Sequence, residues 1–500
     1  MARDPQPALM ALNRFGFGAR GGAAGDLVSA ASDPRGFVKA DLQRPGGVRL
    51  EVPGLQSTAA LAETVFAYQA EVKQTRETAK ANAQGSSTEA KPAAASSMAS
   101  ADRPEKMAAM DEREKAEAGK EAQPNTAKPL NVVQKTFRAE ALSRLQRAVQ
   151  ADCGFGERLV TFWSNHFCVS AAKGQLARMW AGAFEREAIR PHVFGHFSEM
   201  LMAVEQHPAM LFFLDNQQSL GPDSRAGQNR KRGLNENLAR EIMELHTLGV
   251  GGGYTQDGVT SLARIITGWT FAGRQGQLGR PGTFVFNTNA HQPGPQTLLG
   301  KTYQDTGLAQ GEAALSDIAR HPSTAKFIAT KFARHFVADD PPPALTARLQ
   351  EVFRKTDGDL LVLATTLVES DEAWQAPLTK IRSPYEYLIA TGRLLERIPE
   401  EPSRYLGGLN MLGQPLWSPS GPNGFPDTNA AWAAPEGMKL RLDIAAEISS
   451  RLGDTLDPRD LLELAAADAS SQETRHTIER AESRQQALAL LLMSPEFQRR

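Results

Sequence analysis

Leu234-Asn235-Glu236-Asn237-Leu238-Ala239-Arg240-Glu241-Ile242-Met243-Glu244-Leu245-His246-Thr247-Leu248 runs into Gly249-Val250-Gly251-Gly252-Gly253, and its period decides the fold class. At about 100° per residue, Leu234, Leu238, Leu245 and Leu248 share one arc with Ile242 at its edge. This predicts an amphipathic helix over 234–248, closed by a glycine that supplies the positive φ of a C-cap. The same three-to-four spacing of apolar residues recurs in Ala139–Val149, Glu157–Val169 and Met179–Ala188, and again from Leu345 to Leu395. The fold class is therefore mainly α: a large multi-helix globular fold with more than half the chain helical. One minor β-hairpin is expected around Thr283-Phe284-Val285-Phe286-Asn287, inside the Gly/Pro-rich segment Arg274–Tyr303.

Working outward, the composition breaks once. No Leu, Ile or Val occurs between Val72 and Leu130, and no aromatic residue between Tyr68 and Phe137. A stretch of Ala, Lys, Glu, Ser and Gln cannot bury enough apolar area to offset the entropy of ordering. Residues 74–130 are thus expected to be a disordered low-complexity insertion. It divides an N-terminal helical part of the main domain, 1–73, from the main helical domain, 131–500.

The remaining bulk properties exclude more than they assign. The 500 residues are 41% hydrophobic and 23% charged, with a formal net charge of -1. Such a balance gives no global field to attract nucleic acid or an anionic membrane. The short run Arg230-Lys231-Arg232 beside Gly233 reads as a solvated loop. Cys153 and Cys168 show no metal or redox spacing and read as two buried thiols. No run approaches the length of a membrane span. The opening residues lack the charged start and apolar core of an export signal. As written, the chain reads as cytoplasmic, with a trimmed signal or carriage by an exported partner as the alternative.

Chemistry concentrates on a few residues. Glu241 falls inside the apolar arc of the 234–248 helix, where a lone carboxylate must be paired, protonated or facing a cavity. Asn237 and Glu244 lie off one margin of that arc and His246 off the other. The functional reading makes Glu241 a general base or a metal ligand. The architectural alternative is a buried ion pair with an arginine such as Arg158, Arg178 or Arg264. Asn165 and His166 sit in an aromatic helix beside Phe162, Trp163 and Phe167. There they either orient a substrate or satisfy backbone groups in a core. His291 lies in a Gly/Pro loop, the usual place for functional residues. His207 and His321 each precede a proline and read as helix caps. His335 reads as a helix-face residue, and His192, His196 and His476 as surface. Five residues separate Glu241 from His246, which puts them about 140° apart on a regular helix and denies them a shared metal. Glu241 and Glu244 would hold a divalent metal only with His166 or His291 arriving from elsewhere. No nucleophile elbow, zinc helix, phosphate loop or dinucleotide fingerprint is present.

Seven stretches in register carry a resemblance. They are Asn13-Arg14-Phe15-Gly16-Phe17-Gly18, Phe162-Trp163-Ser164-Asn165-His166-Phe167, and Gly233 to Gly249. Then follow Gly253-Tyr254-Thr255-Gln256, Gly268-Trp269-Thr270, His291-Gln292-Pro293-Gly294 and Lys331-Phe332-Ala333-Arg334-His335-Phe336. In this order they resemble the bacterial domain of unknown function 1800 family over nearly the whole chain, the insertion excepted. The resemblance implies a helical protein with no assigned activity. It also implies a partner class, since genes of such proteins often neighbour those of the exported, alkaline-phosphatase-like domain of unknown function 1501 family.

Two function classes stand at this point. One is a hydrolase-like, metal-assisted or metal-free enzyme with Glu241, Glu244 and His166 as catalytic groups. Asn165, Asn237, His246, Trp269 and His291 would then bind substrate. The other is a non-catalytic helical scaffold or maturation partner of an exported phosphatase-like protein.

Overall fold

A computed structural model of the chain describes residues 5–21, 25–44, 46–85, 129–228, 233–452, 455–467 and 470–500. Helix accounts for 63% of the described residues, as the spacing of apolar side chains predicts. One continuous apolar cluster runs from Ala8 to Phe497, so the N-terminal segment and the C-terminal helices share a core. At its centre, α1 (Phe155–His166) meets α4 (Pro322–Phe336) through edge-to-face rings. Phe155 lies 5.4 Å from Phe336, and Phe162 lies 5.4 Å from Phe332.

The expected hairpin forms. Strand β1 (Trp269–Phe271) pairs antiparallel with β2 (Phe284–Phe286), Trp269 opposite Phe286. A second hairpin, β3 (Gln296–Leu298) with β4 (Lys301–Tyr303), escapes the sequence pattern. Its two-residue turn has Leu299 at φ 50° and Gly300 at φ 79°. That geometry belongs to a type I′ turn, although leucine is a rare first residue for it.

Helix reaches further into the expected insertion than composition suggests. The helix Thr58–Gly85 carries straight through residues 74–85. Its first half is anchored by buried Leu61, Ala62 and Val65. Once that turn is nucleated, each added Ala, Lys, Glu or Gln extends the helix at little expense. The rest of the expected insertion, residues 86–128, lies outside the described residues, as does Arg230-Lys231-Arg232.

The 234–248 helix also departs from expectation. Regular α-helix covers only α3 (Asn237–Glu241), and Ile242–His246 is a π turn. The Thr247 hydroxyl donates to the Ile242 carbonyl at 2.5 Å, and the Gly249 N–H donates to the Met243 carbonyl at 3.1 Å. The wider turn breaks the 100° phase. His246, placed off the arc by that phase, is buried at 1% exposure, whereas Glu241 and Leu245 are only half-buried. Among the described residues two further π turns occur, Ala11–Phe15 and Glu185–Ile189. Each likewise carries buried charged or polar groups, Asn13 and Arg14 in one and Glu185 in the other.

Other histidines fall as expected or differ for a clear reason. His207 Nδ1 accepts from the Ala209 N–H and His321 Nδ1 from the Ser323 N–H, so both cap helices. His476 is exposed and His192 half-buried. His335 is not a helix-face residue: it is buried, with Nδ1 2.9 Å from Asp427 Oδ2. Cys153 and Cys168 are both buried free thiols. Among the described residues no helix is long and apolar enough to cross a membrane.

Candidate functional site

Three of the quoted stretches meet at the C-terminal end of α1. His166 is the last residue of that helix, 3% exposed and packed among Trp163, Phe167 and Phe327. Its Nε2 lies 3.0 Å from the carbonyl oxygen of His246, which can only accept, so Nε2 carries the proton. Its Nδ1 is then the acceptor for Lys331 Nζ, at 3.0 Å. Burial, followed by the Lys331 charge, pushes the imidazole well below its usual pKa. His166 is therefore neutral, with a fixed tautomer.

Lys331 comes from α4 and is half-buried. Burial lowers its ammonium to about 8. Among the described residues no carboxylate lies within ion-pair distance of it. Other deeply buried cations are satisfied differently. Arg158 pairs with Glu386 at 3.2 Å, Lys380 with Asp339 at 2.8 Å, and Arg190 with both Glu157 and Glu185 at 2.9 Å.

Behind His166 sits a second pair. His246 Nδ1 lies 2.7 Å from Glu205 Oε1, with the side chains 1% and 0% exposed. His246 Nε2 and Glu205 Oε2 are buried with no partner. Glu205 ends α2 (Phe197–Glu205), and the π turn is what presents His246 to it. A carboxylate fixing one ring nitrogen while the other keeps its lone pair is the arrangement that orients an imidazole base.

Glu241 and Glu244 stand beside this chain of contacts, both half-buried. Burial raises Glu241, with Glu244 adding to the rise and the Arg240 charge opposing it. No arginine pairs with Glu241: Arg158 is held by Glu386, and Arg178 lies over the Phe137 ring at 5.0 Å. The buried ion pair expected as the architectural alternative is thus absent at Glu241 among the described residues. Burial and then the Glu244 charge hold the Tyr254 phenol up. Glu241→Gln is accordingly expected to leave the denaturation midpoint nearly unchanged, within about 0.5 kcal/mol. A loss of several kcal/mol in a urea titration would contradict it.

The other expected residues serve different places. Asn165 is a clamp: its Nδ2 donates to the Phe425 carbonyl at 2.9 Å and its Oδ1 accepts from the Phe425 N–H at 2.8 Å. It thereby ties the proline-rich loop Gly413–Asp427 to α1. Cys168 donates to the Pro422 carbonyl at 3.3 Å in the same loop, and burial pushes its thiol up to about 12. Asn237 is exposed at the start of α3. Trp269 is fully buried against Phe284 in the first hairpin. His291 belongs to a separate polar group, with Nδ1 2.9 Å from the Thr267 carbonyl and Nε2 3.7 Å from Asp305.

A metal does not fit this donor set. Both nitrogens of His166 are occupied, and Glu205 occupies His246 Nδ1. Among the described residues no three His, Cys, Asp or Glu side chains lie close enough to hold one ion. Sequence reasoning passed over Lys331 and Glu205. Lys331 opens one of the quoted stretches and was readable there, while Glu205 is one acidic residue at the end of an apolar helix and gives no signal alone.

No curated protein and no solved structure matches the chain. The family model described as Protein of unknown function (DUF1800) matches residues 10–499. The chain, from its first buried π turn to its C-terminal helix, belongs to that family.

Proposed function

We propose that the chain is an enzyme of hydrolytic type in which Lys331 is the general base, His166 and His246 position it, and Glu241 is the neighbouring carboxyl group. The observation that carries this reading is the 3.0 Å contact of Lys331 Nζ with neutral His166, with no carboxylate partner among the described residues. A lysine so placed gives up its proton near neutral pH, the property that suits lysine to base catalysis. Once neutral, the amine donates one N–H to His166 Nδ1 and keeps its lone pair free. It then takes a proton from water as the oxygen adds to an electrophilic carbon. Glu241, raised by burial, is the acid available to a leaving group.

The test needs no substrate. Competitive acetylation of the intact protein across pH, read by peptide mass spectrometry, is expected to show Lys331 reacting with a midpoint of about 8. A midpoint in the ordinary lysine range near about 10.4 removes the base and the reading with it. Activity, once a substrate is found, should rise with pH through the same midpoint.

A second reading, a scaffold or maturation partner for a protein of the domain of unknown function 1501 family, draws support from the sealed Glu205–His246 pair. A pair exposed at 1% and 0% meets no substrate in this state. Co-purification of the two proteins from one host, unaffected by Lys331→Met, is the result expected of it.

A further inference from the structure

Away from the lysine site, a cavity of about 810 Å³ opens between the first helical residues, the segment 374–378 and the C-terminal helices. Its size is that of a small-molecule site. Leu9, Met10, Trp374 and Leu378 give it an apolar wall.

The polar groups at its edge are mostly occupied. Asp33 accepts from the Gly36 N–H at 2.9 Å, capping the helix that follows. Glu496 accepts from the Ser471 N–H and the Thr474 hydroxyl, each at 2.9 Å. Arg35 donates to Asp371 at 2.5 Å and to the Glu369 carbonyl at 2.9 Å, stacked over Trp374 at 5.4 Å. Arg499 differs: it is exposed, and among the described residues its guanidinium has no partner.

A recess of about 10 Å³ adjoins the cavity, sharing Asn13, Ala465 and Glu496 with it. Arg382 lines the recess at 2% exposure. Its Nη2 donates to Asn13 Oδ1 at 2.7 Å, but its Nη1 is buried without a partner. At about 10 Å³ the recess has room for no more than about one water, so Arg382 bears on the cavity through its charge rather than by direct contact. Of the charged donors lining the cavity itself, Arg499 is therefore the one left unspent among the described residues, and the rest of the lining includes the apolar wall.

We propose that this cavity binds an organic carboxylate with an apolar or aromatic body. The carboxylate faces Arg499, and the body lies against Trp374 and Leu378. Arginine meets a carboxylate through paired N–H donors, so the anionic group fixes orientation while the apolar wall supplies area.

Isothermal titration of the full chain with 4-phenylbutyrate and hexanoate tests this, with 4-phenylbutanol, 4-phenylbutylamine and inorganic phosphate as comparisons. Both carboxylates are expected to saturate one site per chain, with the alcohol, the amine and phosphate at least about 10-fold weaker. Arg499→Ala, at an exposed position, should weaken the carboxylates about 10-fold. Gln375→Trp, which fills the cavity from an exposed lining position, should abolish binding with the unliganded melting temperature unchanged. Absence of heat from both carboxylates up to about 10 mM overturns the proposal. Equal binding of the alcohol, or of phosphate, overturns the chemical class. Binding unchanged in both variants places the ligand elsewhere and overturns the site.

Discussion

Glu386→Gln is expected to lower the unfolding free energy by about 3–5 kcal/mol, a large fall in the urea midpoint. Glu386 is 2% exposed and lies between two buried guanidinium groups, Arg158 at 3.2 Å and Arg500 at 2.8 Å. Its Oε2 also accepts from the Ser383 N–H at 2.8 Å, closing a capping box at the start of the helix Pro384–Leu394. Glutamine preserves that cap, so the substitution isolates the charge: it strands Arg158 and leaves Arg500 with only its 3.7 Å ion pair to Asp427. Burial alone would push this carboxyl up, but Arg158 and Arg500 together outweigh it and bring it down to about 2. Because the folded value is depressed, its contribution is complete above the ordinary value of 4.5 and is lost as pH falls from there through about 2. That depression corresponds to about 3 kcal/mol, so acid titration of the wild type should show a steep loss in this window and Glu386→Gln a shallower one. Equal slopes would mean that the carboxylate titrates alike in folded and unfolded chains.

The helical fold was legible because the apolar period is a property of the chain itself. Capping by His207 and His321 was equally readable, since proline at the first helical position needs only local sequence. Three things were not. The β3–β4 hairpin has Leu299 at a left-handed position, where the usual turn signal is Asn or Gly. Residues 74–85 are helical because a buried neighbour nucleates them, which composition cannot reveal. Most consequential is the π turn at 242–246: an angular argument at fixed phase places Glu241 inward and His246 to the side. The extra residue in the turn reverses their burial. Of the residues singled out in the sequence, His166 and His246 come into contact beside Glu241 and Glu244, whereas Asn165, Asn237, Trp269 and His291 serve other places. The central contacts of the site depended on partners that arrive from far along the chain, Lys331 to His166 and Glu205 to His246.

The Glu205–His246 pair is the second place where a large effect is expected. Glu205→Ala removes one partner of a sealed hydrogen-bonded pair, and a loss of about 3 kcal/mol should follow. The double replacement Glu205→Leu with His246→Phe is expected to recover nearly all of it, to within about 1 kcal/mol of wild type. The site favours this outcome on two counts. The ring of His246 already packs against Phe167 at 5.2 Å, so a phenyl ring enters matching surroundings. The pair also leaves His246 Nε2 and Glu205 Oε2 buried without partners, two desolvation penalties that the apolar side chains do not carry. The contact from His246 to His166 uses the backbone carbonyl, so the Lys331–His166 geometry survives the exchange. Denaturant titration of the wild type, Glu205→Leu, His246→Phe and the double variant completes the cycle. A double variant as weak as the singles would make the pair architectural. One as stable as the wild type would leave the pair with no net stabilising role.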